Sequence, residues 1–467
     1  MLTLILFVYF VSFLDKPEKT APQLSPRAVE QRAKWHIATD GMDYPVSAMY
    51  TDSLRRMGVK IYHKSRWFNG VTCEMDEKTA SKVAGLKFVT NVEMTRDNSA
   101  PIYAPRKRMR ELGMSELGIR ETDKQLATYN LLPLHEAGFE GQGILMAICD
   151  GGFYNAQTLP CFRQKELELG HFDFTDDKED FYGETGGHGT YCLSTISGIV
   201  DSGYYGAATK AQYYLMRSEE NDTESPKEMD NLVAALEKAD SLGVNIFSVS
   251  LGYALFDNDD WTLQKSELDG QSTRVSRAAT IAARKGMLVC VAAGNEGNKT
   301  WKTIYAPADA DSVLTIGAVT VDSIIGKFSS WGPSADGRVK PEVCAVGVKT
   351  TLINASGKIT NGDGTSFATP LLAGMAACLW SALPEENAMQ IRDRIIRSAD
   401  RYTNPDNDQY GYGIPNAWKA YTMTPTGVDI VESQKTKVES TKMLRNGQML
   451  IFHGNKTYNV LGVEIKE

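Results

Sequence analysis

Gly362-Asp363-Gly364-Thr365-Ser366-Phe367-Ala368-Thr369-Pro370 is the stretch on which the reading of this chain turns. The serine stands behind two glycines and ahead of a run, Leu371 to Leu383, that reads as a buried helix. A hydroxyl at a helix start feels the positive end of the helix dipole. It also lies beside backbone N–H groups with no partner inside the helix. Glycines let the chain turn sharply and let a substrate approach the backbone. Helix capping is the commonest role for a serine in this setting, so Ser366 acquires meaning only from its company.

That company is Asp150, His188 and Asn295. Asp150 ends the apolar run Ile144 to Cys149 and precedes Gly151-Gly152. His188 lies in Gly186-Gly187-His188-Gly189-Thr190, before a helical segment. Asn295 lies in Ala292-Ala293-Gly294-Asn295-Glu296-Gly297, after the apolar run Met287 to Val291. Singly, each reads as a turn, cap or structural residue. Together they offer a carboxylate, an imidazole, an amide and a hydroxyl in the order Asp, His, Asn, Ser.

With these motifs the chain resembles the subtilases, the subtilisin-like serine peptidases. The matching segments are Asp150-Gly151-Gly152, His188-Gly189-Thr190, Ser250-Leu251-Gly252, Gly294-Asn295 and Gly364 to Pro370, and they span about residues 130 to 420. The Asp, His, Ser order is the subtilisin order and differs from those of chymotrypsin and the α/β-hydrolases. One departure is Gly151, where many subtilases carry Ser or Thr after the catalytic aspartate. The chemistry follows from the residue types. Ser366 is the nucleophile and needs a base; neutral His188 takes its proton and returns it to the leaving amine. Asp150 orients His188, and the Ser366 N–H with the Asn295 amide forms the oxyanion hole. The resemblance further implies that Ser250, Leu251 and Gly252 pair with an extended peptide. They would line, with Ala292, Ala293 and Gly294, the pocket for the residue before the scissile bond. The expected activity is therefore a serine endopeptidase acting through an acyl-enzyme. A catalytically silent subtilase-fold protein that binds peptides or serves at a surface is the alternative; it predicts a broken triad, and this one is intact.

The expected fold is α/β. Apolar runs at 144–149, 211–216, 244–249, 287–293 and 313–319 alternate with helical segments. That pattern indicates a doubly wound, mostly parallel sheet with helices on both faces. Ser225, Pro226 and Gly243 bracket a helix from Pro226 to Leu242. Ligands of such sheets bind at the C-terminal strand ends, where Asp150, Ser250 and Asn295 fall.

The flanks divide the chain further. Leu2 to Leu14 is apolar and too short to span a bilayer comfortably, so residues 1–20 are expected to be a signal peptide or a membrane-proximal segment. Residues 30–98 show an α, β, β, α, β pattern that looks like a subtilase propeptide, with Ser65-Arg66-Trp67-Phe68-Asn69 resembling bacterial examples. Residues 99–125, with Arg106-Lys107-Arg108-Met109-Arg110, form a linker suited to processing. The catalytic domain is expected at 126–424 and a small β tail at 425–467. In the tail, Asn446-Gly447 and Gly454-Asn455 separate three strands. This tail resembles C-terminal sorting tails of some bacterial surface and secreted proteins, type IX secretion substrates among them, and reads equally as a small stabilising module.

The implied partners are polypeptide substrates, the chain's own propeptide as an intramolecular inhibitor, and secretion machinery acting through the tail. The implied location is exported: secreted, periplasmic or cell-surface. A net charge of −8 over 467 residues argues against a nucleic-acid surface. No cofactor is required, and no cysteine or histidine spacing resembles a zinc site. Asp173, Asp176, Asp177, Glu179 and Asp180 would suit calcium, although a solvated acidic loop is the commoner outcome. Of seven cysteines, Cys149, Cys192, Cys290 and Cys378 read as small buried hydrophobes; Cys73, Cys161 and Cys344 are open.

Overall fold

The computed structural model describes residues 5–18, 20–98, 115–116, 121–175, 181–183, 187–201, 203–220, 223–406 and 408–424, with 441–445, 448–453, 456–459 and 464–465 in the tail. Met1–Thr422 form one compact unit and Met423–Glu467 another.

The expected parallel sheet is present. Its seven strands run in the order Val343–Val346, Leu314–Val319, Leu288–Ala292, Ile246–Val249, Leu145–Asp150, Gln212–Arg217, Glu168–Asp173, and neighbouring strands are parallel throughout. Period-two alternation sorts each strand between two cores. Met146 and Ile148 join the core that holds helices Gly187–Ser197 and Thr365–Ala382. Leu145, Ala147 and Cys149 join the core of helices Pro226–Leu242 and Arg274–Arg284. Helix Pro226–Leu242 has its expected bounds: the Glu228 carboxylate accepts from Ser225 N at 3.2 Å, and Gly243 closes the helix in the left-handed region. Leu145–Asp150 is the first strand of this sheet in chain order. Later strands build outward on both sides of it, so its C-terminal end is a switch point.

The N-terminal domain is an antiparallel sheet in the order Lys60–Ser65, Gly70–Met75, Phe7–Phe13, Val89–Asp97, with helices Ala48–Arg56 and Glu77–Ala84. This corrects two expectations. The apolar run assigned to a signal or anchor within 1–20 is a central strand, paired with Gly70–Met75 on one side and Val89–Asp97 on the other. The domain therefore starts at Phe7 and not at residue 30. The physical reason lies in its two faces. Tyr9, Val11 and Phe13 face the domain's own core, whereas Phe10 lies under the Arg274 guanidinium of the large domain at 3.8 Å. A strand buried on both sides loses polar alternation and reads as one apolar stretch.

The domain docks on helices Pro226–Leu242 and Arg274–Arg284. At its tip, Ser65 Oγ, Arg66 N and Trp67 N all donate to the Glu237 carboxylate, at 2.5, 2.9 and 3.2 Å. Arg66 also bonds Asp240 at 2.5 Å, and Trp67 is buried in the large domain's core. Thr72 donates to Asp230 at 3.1 Å, and Arg274 bridges Asp230 and Glu93.

Residues 14–18 and 20–47 belong to an unanticipated strap between the first strand and helix Ala48–Arg56 of this sheet domain. Within it, helix Pro26–Lys34 is capped by Ser25, whose hydroxyl accepts from Ala28 N at 3.1 Å. The strap reaches the C-terminal end of Pro226–Leu242. There Ser25 Oγ donates to Leu242 O at 3.0 Å, Arg27 to Asn245 Oδ1 at 2.6 Å, and Arg32 holds both Asp240 oxygens at 2.8 Å. Lys285 bonds Asp43 at 2.9 Å.

After the connection, Ser115–Glu116 pairs with Ile359–Gly362, which in turn pairs with Thr350–Ile353. The basic cluster 106–110 lies outside the described residues. The tail is a four-stranded antiparallel meander, Thr441–Arg445, Gln448–His453, Lys456–Asn459 and Glu464–Ile465, one strand more than expected. All seven cysteines are buried and unbonded.

Candidate active site

Asp150 is the last residue of the central strand at the switch point, 1% exposed. His188 is the second residue of helix Gly187–Ser197. Gly189 brings them together: a methyl group there would lie 2.3 Å from Gly152 O and 3.0 Å from Asp150 Cβ. Only glycine permits that approach, and Gly189 N bonds Gly152 O at 3.1 Å. His188 Nδ1 consequently sits 2.8 and 2.9 Å from the two Asp150 oxygens. Gly151, the departure from the family pattern, bonds the carboxylate through its own amide, N to Oδ1 at 2.8 Å.

Ser366 is the second residue of helix Thr365–Ala382 and 1% exposed. The helix contains Pro370, which has no N–H to give the carbonyl four residues earlier. That carbonyl belongs to Ser366. It accepts instead from Ser250 Oγ at 2.8 Å and Cys192 Sγ at 3.3 Å. Cys192 also lies 3.8 Å from His188 Nδ1, and the rings of His188 and Phe367 are 5.7 Å apart. Serine and histidine are thus locked to one small polar cluster.

Asn295 is oriented by Thr365, whose N and Oγ1 both donate to Asn295 Oδ1 at 3.0 Å. This leaves Nδ2 as the free end of the amide. The vacant Cβ position of Gly364 lies 3.6 Å from Ser366 N and 3.7 Å from Asn295 Nδ2, so two donors flank one small space.

Buried polar atoms almost always have partners. Here His188 Nε2, Ser366 Oγ and Asn295 Nδ2 are buried and, among the described residues, unpartnered. These are the base, nucleophile and oxyanion donor expected from sequence.

Burial disfavours the charged His188 ring, but Asp150 more than offsets this and the ring's pKa lies well above its ordinary value. Cys192 is itself pushed up, chiefly by burial, and stays a neutral thiol near pH 7. The charge beside His188 is therefore that of Asp150.

Of the substrate segments, Ser250, Leu251 and Gly252 follow strand Ile246–Val249, and Ala292 ends Leu288–Ala292 with Ala293 and Gly294 after it. The Ser250 side chain faces Ser366 and not solvent. Cys192, read from sequence only as a buried hydrophobe, bridges histidine and serine: it stands one helical turn after His188 within Gly187–Ser197, while its contact with Ser366 is made by the fold. Asp173 accepts from Thr175 at 2.7 and 2.9 Å, while the other acidic calcium candidates lie outside the described residues. Glu219, Glu224 and Glu228 bring carboxylates together elsewhere, but Tyr253 Oη donates to Glu219 and backbone amides to Glu228.

Residues 141–413 match the model of the subtilase family, and residues 8–110 match that of the peptidase S8 propeptide domain of Bacteroidota. Subtilisin E of Bacillus subtilis is 26% identical over 377 residues, 80% of this chain and 86% of the relative. Serine protease AprX of Bacillus subtilis is 27% identical over 308 residues, 59% of this chain and 66% of the relative. A thermostable alkaline protease of Halalkalibacterium halodurans is 27% identical over 292 residues, 62% of this chain and 71% of the relative. The propeptide match begins inside the strand Phe7–Phe13, in agreement with the sheet pairing. By family match, fold and site, this chain belongs to the subtilases and is a serine endopeptidase with an N-terminal propeptide domain.

Proposed function

We propose that Ser366, His188, Asp150 and Asn295 carry the hydrolysis, and that the chain is a zymogen that cuts itself between its two domains. The observation that carries this reading is the trio of unpartnered buried atoms, His188 Nε2, Ser366 Oγ and Asn295 Nδ2. Ser366 Oγ attacks the peptide carbonyl while His188 Nε2 takes its proton. Asp150 holds the Nδ1–H and stabilises the imidazolium. The oxyanion falls to Ser366 N–H and Asn295 Nδ2, each worth about 3–4 kcal/mol where such donors have been removed. His188 then protonates the leaving amine, and water releases the acyl group by the reverse route.

The propeptide strand ends at Asp97, and Ser115 already belongs to a sheet of the catalytic domain. The cut therefore belongs between residues 98 and 114. The propeptide assists assembly of a sheet rich in non-local pairings, which forms slowly by itself, and afterwards inhibits. We further propose export, on the strength of the propeptide domain ahead of the catalytic domain, and either a sorting or a stabilising role for the C-terminal meander. Expression of wild type and Ser366→Ala in cells lacking other proteases tests the self-cutting. Wild type should yield a fragment beginning between 98 and 115, and Ser366→Ala should remain whole. Equal processing of both rules self-cleavage out.

A further inference from the structure

The two segments that the family resemblance assigns to the pocket before the scissile bond, Ser250-Leu251-Gly252 and Ala292-Ala293-Gly294, converge on a residue that neither contains. A methyl group on Gly252 would lie 2.9 Å from Tyr305 Cβ and 3.2 Å from its Cδ2. A methyl group on Gly294 would lie 3.3 Å from the same Cδ2. One edge of the Tyr305 ring therefore touches both walls, and the walls are glycine where it does so. Real Cβ atoms rarely approach a neighbour so closely, so a side chain at either glycine would press on the Tyr305 ring, which stands between the two segments.

Its position is held from several sides. Tyr253 and Ala306 exchange backbone hydrogen bonds of 2.8 and 3.0 Å, which fasten Tyr305 beside Gly252. Tyr305 O accepts from Ala308 N at 2.8 Å, and the Trp301 ring lies 6.2 Å away. Tyr305 is 8% exposed. Glu296, next to the oxyanion donor Asn295, is anchored by Ser330 Oγ at 3.0 Å and Lys299 at 2.6 Å. Burial first, and the Glu296 carboxylate second, push the Tyr305 phenol up, so the ring stays neutral and keeps its proton.

We propose that Tyr305 forms the floor of this pocket and makes the enzyme selective for small side chains, Gly, Ala or Ser, before the scissile bond. A peptide lying along Ser250-Leu251-Gly252 would direct that side chain between Gly252 and Ala292-Ala293-Gly294, into space the ring occupies. A Phe or Leu would have to displace an aromatic ring wedged against two backbones. Differences of this size in an apolar pocket are worth roughly 10- to 200-fold in kcat/KM. The proposal rests on the endopeptidase reading above and adds the substrate class.

The test is cleavage of a peptide library by the mature wild-type enzyme, with products sequenced by mass spectrometry, followed by kcat/KM for matched substrates carrying Ala, Leu or Phe at that position. Wild type should favour Ala over Phe by about tenfold or more. Tyr305→Ala should reverse that order, and Tyr305→Phe, which keeps the ring, should retain it. A wild-type preference for Phe or Leu overturns the proposal even if no variant folds. So does an unchanged Ala-to-Phe ratio in folded Tyr305→Ala. Those outcomes leave the endopeptidase reading standing, because cleavage has occurred. Absence of any cleavage by mature protein that is folded and free of its propeptide overturns both.

Discussion

Ser250 Oγ donates a 2.8 Å hydrogen bond to the carbonyl of Ser366, the carbonyl that Pro370 leaves without a helical donor. A proline inside a helix here is tied to the nucleophile: the turn carrying Ser366 is fastened to a strand end and not to its own helix. Ser250→Ala should cost about 1–3 kcal/mol, because a buried acceptor loses its better partner. Pro370→Ala restores an N–H aimed at that carbonyl, so the double variant should recover part of the loss. Denaturant unfolding in a Ser366→Ala background, which prevents self-digestion, measures the cycle. Strict additivity of the two changes would show that they do not share the Ser366 carbonyl.

Gly189→Ala should reduce kcat by at least about 10²-fold, since a methyl 2.3 Å from Gly152 O forces His188 away from Asp150. Steady-state kinetics beside a thermal melt separates this from general unfolding. A variant that loses stability but keeps kcat would show that the close approach serves packing alone.

The raised His188 pKa sets the pH dependence. Catalysis needs the neutral ring, and Asp150 outweighs burial to hold the proton on it. The kcat/KM of mature enzyme should therefore rise with pH and reach its plateau well above pH 6.5, the ordinary histidine value. Replacing Asp150 with Asn should lower both the plateau and the pH of half-maximal activity. A wild-type profile already flat at pH 6 contradicts the assignment.

The propeptide holds the catalytic domain at several points, among them the tip on Glu237 and the strap on Asp240, which Arg66 of the tip also bonds. Linked contacts of this kind retain a cut fragment better than either alone. After self-cleavage of the full chain, Glu237→Ala should speed release of active enzyme by about 10²-fold or more, given the cost of breaking a buried hydrogen-bonded charge. Arg32→Ala should also speed release, because it cuts the strap from Asp240. The time course of peptidase activity following cleavage reports both. Release at the wild-type rate in Arg32→Ala would reduce the strap to a folding element.

Much of this was legible before the structure, and the reason is local. Asp150, His188, Asn295 and Ser366 each sit in a short glycine-containing motif at a strand end or helix start, where sequence and geometry are tightly coupled. Within residues 30–98 the propeptide shows the same agreement, its helices and strands following the expected α, β, β, α, β order. What was missed depends on partners far along the chain. Phe7–Phe13 reads as a leader because both faces are buried, one of them by Arg274. Glu168–Asp173 alternates half-buried and exposed residues at the sheet edge and has no apolar run. The strap helix did carry a signal, Ser25-Pro26 as cap and first residue, that went unused. Tyr305 carries none, and neither does the contact of Cys192 with Ser366: only the folded sheet brings Tyr305 to Gly252 and Gly294, and Cys192 to Ser366.

The most direct measurement is covalent labelling of the mature enzyme by a fluorophosphonate, with the modified peptide identified by mass spectrometry. One labelled residue, Ser366, is expected in wild type, with labelling abolished in Ser366→Ala and nearly abolished in His188→Ala, both variants folded by circular dichroism. Labelling of wild type at any other serine, or undiminished labelling of folded Ser366→Ala, would contradict the assignment of Ser366 as nucleophile.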